Sequence, residues 1–144
     1  MKSIVKYSLL LYAISFLLLH VSYAEKIPKV ARAIFTTAIN NREPIDQVLV
    51  LNTKTTNISF FTDLRHFEGQ TIIHKWIYNN KSESVVKFQV KGPRWRVYSR
   101  LEISPSKLGT WSVVVQDEAG RSYKASVFRF VDKESEQVIL PRAE

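Results

Sequence analysis

From Val30 onward the apolar residues fall in short runs of five to nine, rich in Val, Ile, Phe, Tyr, Trp and Thr, and they seldom hold a spacing of three and four. That is the periodicity of strands and not of amphipathic helices. The runs are Ala31–Ala38, Gln47–Leu51, Asn57–Thr62, Thr71–Tyr78, Ser84–Lys91, Trp95–Ile103, Thr110–Gln116 and Ser122–Phe130. Between them stand Asn40-Asn41-Arg42-Glu43-Pro44, Phe67-Glu68-Gly69-Gln70, Asn79-Asn80-Lys81-Ser82, Gly92-Pro93, Pro105-Ser106-Lys107-Leu108-Gly109 and Asp117-Glu118-Ala119-Gly120. Gly and Asn tolerate the positive φ that turns require, and Pro fixes φ, so these segments read as turns or loops. Short strands at roughly ten-residue spacing with no helix between them predict an all-β, antiparallel sandwich or barrel, and the last hairpin favours an immunoglobulin-like sandwich of about seven or eight strands.

Alternation within the runs predicts which faces are buried. Trp111, Val113 and Val115 share one face against Ser112, Val114 and Gln116, and Val86, Phe88 and Val90 oppose Lys87, Gln89 and Lys91. One-sided strands of this kind belong to half-solvated sheets. Thr71–Tyr78 is apolar on both faces and reads as a central strand, while Thr110–Phe130 reads as the closing hairpin of the sandwich. The tail from Asp132 is charged and is expected to be mobile.

The first 24 residues carry a different pattern. Lys2 and Lys6 precede an uncharged run from Tyr7 to Ala24, with an apolar centre at Leu9–Leu19 and small residues at Ser22 and Ala24. A basic start, a short apolar centre and small residues before the cut are the parts of a secretory signal, so cleavage is expected after Ala24. The rival reading is an anchor formed by residues 7–24, but a span ordinarily needs about 20 predominantly apolar residues, and His20 and Ser22 interrupt this run. The expected organisation is a signal at 1–24, a linker at 25–29, a sandwich domain at 30–131 and a charged tail at 132–144. The chain is then periplasmic or secreted, with no transmembrane span left after cleavage.

Composition narrows the chemistry. The chain has no cysteine, which excludes disulfides, thiolate catalysis and Cys-ligated metal. Removing Lys2 and Lys6 from 21 basic residues against 13 acidic ones leaves the exported part at +6. Such a charge draws anionic partners, which outside the cytoplasm are lipid head groups, lipopolysaccharide phosphates or acidic polymers and not nucleic acid; a charge spread for solubility alone is the plainer reading. No G-x-S-x-G, Walker A, H-E-x-x-H or Gly-rich dinucleotide loop occurs. Two histidines follow the signal, His66 and His74, and a metal site would need both together with carboxylates. No cofactor is expected.

Two local patterns stand out. In His74-Lys75-Trp76, alternation puts His74 on the face of Ile72 and Trp76, as a core histidine or as one that titrates and reads a ligand. In Arg94-Trp95-Arg96-Val97-Tyr98-Ser99-Arg100, alternation sends Trp95, Val97 and Ser99 inward and fans Arg94, Arg96, Tyr98 and Arg100 over the outer face. Three guanidinium groups beside a phenol can grip phosphate or carboxylate, or stack on a sugar; equally, the row can be neutralised by acids such as Asp117 or Glu102. The candidate binding residues are therefore Arg94, Arg96, Tyr98, Arg100 and His74. The three tryptophans lie in register with aliphatic residues and read as core.

Phe35-Thr36-Thr37 with Arg42-Glu43-Pro44, Phe60-Phe61-Thr62-Asp63-Leu64-Arg65, Glu68-Gly69-Gln70, His74-Lys75-Trp76, Gly92-Pro93-Arg94-Trp95-Arg96, and Gly109-Thr110-Trp111 followed by Asp117 and Gly120 together resemble the bacterial domain-of-unknown-function family number 2914. The resemblance runs from about Val30 to Phe130. It implies a domain of bacterial envelope proteins and carries over no activity, cofactor or catalytic residue. The resulting expectation is a non-catalytic exported module that binds an anionic or glycan surface, or an envelope protein. The alternative is a periplasmic hydrolase using His74 with a nearby carboxylate such as Asp63 or Glu68.

Overall fold

A computed structural model describes residues 25–142. The expected signal at 1–24 lies outside the described residues, and so do the last two residues of the tail. Eleven strands and no helix make up the described chain: β1 (Lys29–Thr36), β2 (Ile39–Asn40), β3 (Glu43–Pro44), β4 (Asp46–Asn52), β5 (Asn57–Arg65), β6 (Thr71–Tyr78), β7 (Lys81–Gln89), β8 (Arg94–Glu102), β9 (Gly109–Asp117), β10 (Ser122–Val131) and β11 (Val138–Pro141). The eight strands predicted from alternation are all present. The number is eleven and not seven or eight, because β2 and β3 form a hairpin inside the expected loop and β11 lies in the tail.

Those additions have local causes. Asn41 and Arg42 both adopt positive φ, 48° and 62°, between the paired Asn40 and Glu43, which is the two-residue turn geometry whose twist suits a hairpin. The same device, Asn79 and Asn80 at 47° and 60°, joins β6 to β7. The tail, expected to be mobile, is held instead by pairing of Ile139, Leu140 and Pro141 with Val48, Gln47 and Asp46. Asn52 reinforces this by donating from Nδ2 to the Ser135 carbonyl at 3.0 Å. Charge in the sequence did not prevent a strand whose backbone partners were waiting at an open edge.

The strands form a small sheet, β1-β5-β8, facing a large one, β11-β4-β10-β9-β6-β7. All pairings are antiparallel except β4 with β10, which is parallel. The order β10-β9-β6-β7 opposite β1-β5-β8 is that of the two sheets of an immunoglobulin-like sandwich. As alternation predicts, β6 is internal, between β7 and β9. β9 and β10 pair as a hairpin, with β4 and β11 extending the sheet beyond it.

The core between the sheets is aromatic. Phe35, Phe60, Trp76, Trp111, Phe128 and Phe130 are all buried in one cluster with Leu51, Leu64, Ile72, Val113 and Val115. Phe35 packs on Phe60 and Phe128 at ring separations of 4.8 and 4.7 Å, within the range where aromatic pairs attract beyond simple area burial. β5 is buried on both faces from Ile58 to Leu64. Its inner residues reach the core, and its outer residues, Phe61 and Asp63, lie under a group of arginines.

Candidate functional site

β8 presents its residues as alternation predicts: Ser99 is buried, Trp95 and Val97 are partly buried, and Arg94, Tyr98 and Arg100 are exposed. Arg96 lies on the outer side but is only partly exposed. The register sets Arg94 beside Arg65, Arg96 beside Asp63, Tyr98 beside Phe61 and Arg100 beside Ser59. On the other side of β5, Arg32 stands beside Asp63 and Lys29 beside Arg65. The outer face of the small sheet thus gathers cations from three strands around one acid.

That acid is sealed from solvent by its partners. Asp63 is only 1% exposed and accepts from Arg65 through Nε at 2.9 Å and Nη2 at 3.1 Å. Arg94 donates to the same carboxylate through Nη2 at 3.0 Å, and Arg32 approaches to 3.7 Å. Glu43 is the second acid, delivered by the β2–β3 hairpin. Arg32 grips it with two parallel hydrogen bonds of 2.8 and 2.9 Å, Arg96 donates to it from the opposite side, and Arg142 comes within 3.7 Å. The Arg32 fork, with a second donation from Arg96, holds the Glu43 carboxyl down at about 2, and the same fork raises Arg32. Arg32 also lies over the Phe61 ring at 4.9 Å, within cation–π range.

The arginine row is therefore neither free nor neutral. The acids paired with it are Asp63 and Glu43, not the Asp117 and Glu102 considered from sequence. Those two acids stand against Lys29, Arg32, Arg65, Arg94, Arg96 and Arg142, which leaves a surplus of positive charge on one face. Arg100 touches no carboxylate among the described residues; its Nε reaches the Ser59 hydroxyl at 3.5 Å and its guanidinium lies near the exposed Tyr98 ring. Sequence reasoning found the β8 half of this face. It missed Arg32, Arg65 and Glu43 because strand pairing, which brings them there, is not encoded in local alternation.

His74 belongs elsewhere. It is fully buried, on the inner side of β6, and its ring joins the two sheets: Nε2 meets the Thr62 hydroxyl at 3.0 Å and Nδ1 meets the Ser99 hydroxyl at 2.9 Å. Trp76 donates from Nε1 to the same Ser99 oxygen at 2.9 Å. Phe60 and Phe88 flank the imidazole at 5.0 and 4.8 Å. Burial alone pushes its pKa down to about 3, so the ring is neutral at physiological pH and needs only hydroxyl partners. As a candidate binding residue His74 is corrected by this burial, since no ligand reaches it without opening the sandwich. Asp63 projects from the opposite face of β5, and neither it nor Glu68 bonds to the imidazole.

The remaining concavities are modest. An open depression of about 370 Å³ on the large sheet is lined by Ile77, Asn79, Asn80, Thr110, Ser112 and Val127, away from both histidines and from the arginine face. Among the described residues, no group of three or more His, Asp or Glu is placed to hold a metal ion.

Fold and face together define an immunoglobulin-like sandwich whose small sheet presents an ion-paired, positively charged outer surface. Residues 69–130, which run from just before β6 into β10, match the family described as "Protein of unknown function (DUF2914)". The upstream blocks that carry Phe35, Glu43 and Asp63 lie before the matched stretch. Among curated proteins, none matches the chain.

Proposed function

We propose that the protein is a non-catalytic exported module that binds an anionic surface of the bacterial envelope through the outer face of its small sheet. The observation that carries this reading is the surplus of guanidinium groups around Asp63 and Glu43 on β1, β5 and β8. Like-charged neighbours across a sheet are unfavourable, and a face that keeps them is suited to an anion arriving from solution. The signal-like pattern of residues 1–24, together with the envelope setting that the family resemblance implies, supports an exported, periplasmic or secreted location. The hydrolase reading loses its base, because His74 is buried without a carboxylate partner.

Co-purification from an envelope fraction with the full chain as bait tests the reading. Retention of lipid or lipopolysaccharide at low salt and release at moderate salt is expected. Retention indifferent to salt, or none, overturns it.

A further inference from the structure

The outer face of the small sheet contains one row in which the charges do not balance. Lys29 pairs in register with Arg65, and Arg65 with Arg94, so three cations stand side by side across β1, β5 and β8. The acid beside the row, Asp63, has both oxygens occupied by these same arginines. The engaged atoms are Nε and Nη2 of each guanidinium. Among the described residues nothing accepts from Nη1 of Arg65 or of Arg94, so each side chain is held by the buried acid with donors to spare. Both remain reachable, at 33% and 50% side-chain exposure.

The adjoining turn retains its own cost. His66 follows Arg65 in a left-handed conformation, φ 61°, and its backbone N–H donates to the carbonyl of Pro93 at 2.9 Å, immediately before Arg94. Its ring Nδ1 is shut off from solvent with no hydrogen-bond partner. Strain of this kind and an unpaired buried nitrogen are features that structures keep where something is held in place. Here the hydrogen bond from the His66 backbone to Pro93 ties the two strand ends that carry Arg65 and Arg94 to each other.

We infer that Lys29, Arg65 and Arg94 form a phosphomonoester site: the Asp63 carboxylate orients two guanidinium forks whose unengaged edges, with the Lys29 ammonium, receive the three terminal oxygens of a dianionic phosphate. This rests on the proposed anionic-surface function and names its ligand class. A monoester offers more charge and one more terminal oxygen than a diester, and forked guanidinium groups reward both. Pre-orientation by a buried acid removes much of the ordering cost of binding.

The test compares flotation of the full chain on vesicles of phosphatidylcholine carrying phosphatidic acid with vesicles carrying phosphatidylglycerol, the latter enriched until the surface potentials match. Titration with inorganic phosphate, followed by the arginine Nε–H resonances, tells a free phosphate from a lipid head group. The monoester vesicles should bind about tenfold more tightly, the worth of one charge-assisted hydrogen bond. Arg94→Gln should remove that preference, and Arg94→Lys, which keeps the charge without the fork, should remove most of it. Lys124→Gln with Arg129→Gln, exposed on β10 of the other sheet, should change nothing, and melting curves establish that each variant is folded. Resonance shifts with phosphate but no vesicle preference assign the site to a free phosphate. Equal binding to both charge-matched vesicles, unchanged by Arg94→Gln and without resonance shifts, overturns the site and leaves the anionic-surface function standing. No binding to any anionic vesicle and no shifts overturn both.

Discussion

Acidification should weaken the fold through His74. The imidazole has an ordinary pKa of 6.5 and is pushed down to about 3 by burial. Between those values the unfolded chain binds a proton that the folded chain refuses, so stability is full above 6.5 and falls as the pH drops towards 3. Each pH unit inside that window costs about 1.4 kcal/mol, so the loss between pH 7.5 and pH 5 is about 2 kcal/mol and reaches about 4 kcal/mol near pH 3. Domains of this size have about 5 to 15 kcal/mol in total, so the earlier figure alone is measurable. Glu43, held down at about 2 from 4.5, contributes stability that is lost only as the pH falls from 4.5 towards 2, which leaves the interval from 6.5 to 5 clear of it. The assay is urea unfolding followed by tryptophan fluorescence at pH 7.5 and 5.0, for the parent and for His74→Gln. The variant, which has no proton to gain, should lose about 2 kcal/mol less on acidification than the parent. Equal losses in the two proteins would refute the reasoning, because they would mean that His74 is solvated or already paired with an acid.

Trp111→Ala should cost about 3 to 5 kcal/mol, the usual range for deleting a core aromatic, because the ring is 1% exposed and stacks on Tyr78 at 4.8 Å; denaturant melts check it, and a loss under about 1 kcal/mol would place the ring outside the core. Asp63→Asn should destabilise by about 1 to 3 kcal/mol, since it removes the charge that three guanidinium groups surround; thermal melts that match the parent would show the cluster to be incidental. Changing Arg94, Arg96 and Arg100 together to Ser should lower the melting temperature, because the first two partner Asp63 and Glu43; an unchanged melt would show these ion pairs to be energetically silent. Intact mass of envelope material should begin at Glu25, and a mass retaining residues 1–24 would mean an anchored protein.

What was legible in the sequence is what depends on neighbours along the chain. Period-two alternation placed Trp111, Val113 and Val115 inward and gave the order of burial along β8 correctly, because a pleated backbone leaves no other choice. It also put His74 on the face of Trp76. It did not decide whether His74 was core or ligand-reading, because that depends on Thr62 and Ser99 arriving from the opposite sheet. The acids opposite the arginines were misjudged for the same reason: Glu43 reaches Arg96 across 53 residues, through a hairpin whose turn residues, Asn41 and Arg42, resemble any loop. β11 escaped notice because an edge strand draws its stability from backbone partners, and four residues with one proline give no periodicity to read.

The central claim, that the small-sheet face binds anionic surfaces, is tested most directly by flotation on vesicles with and without anionic lipid. The measurement compares the parent chain with the double variant Lys29→Glu, Arg94→Glu at ionic strengths of about 0.05 and 0.5 M, which straddle the range over which exposed charges become screened. The parent should bind only the anionic vesicles and release at the higher salt, and the double variant should not bind. Binding of the double variant equal to the parent's, or parent binding indifferent to lipid charge, would contradict the account.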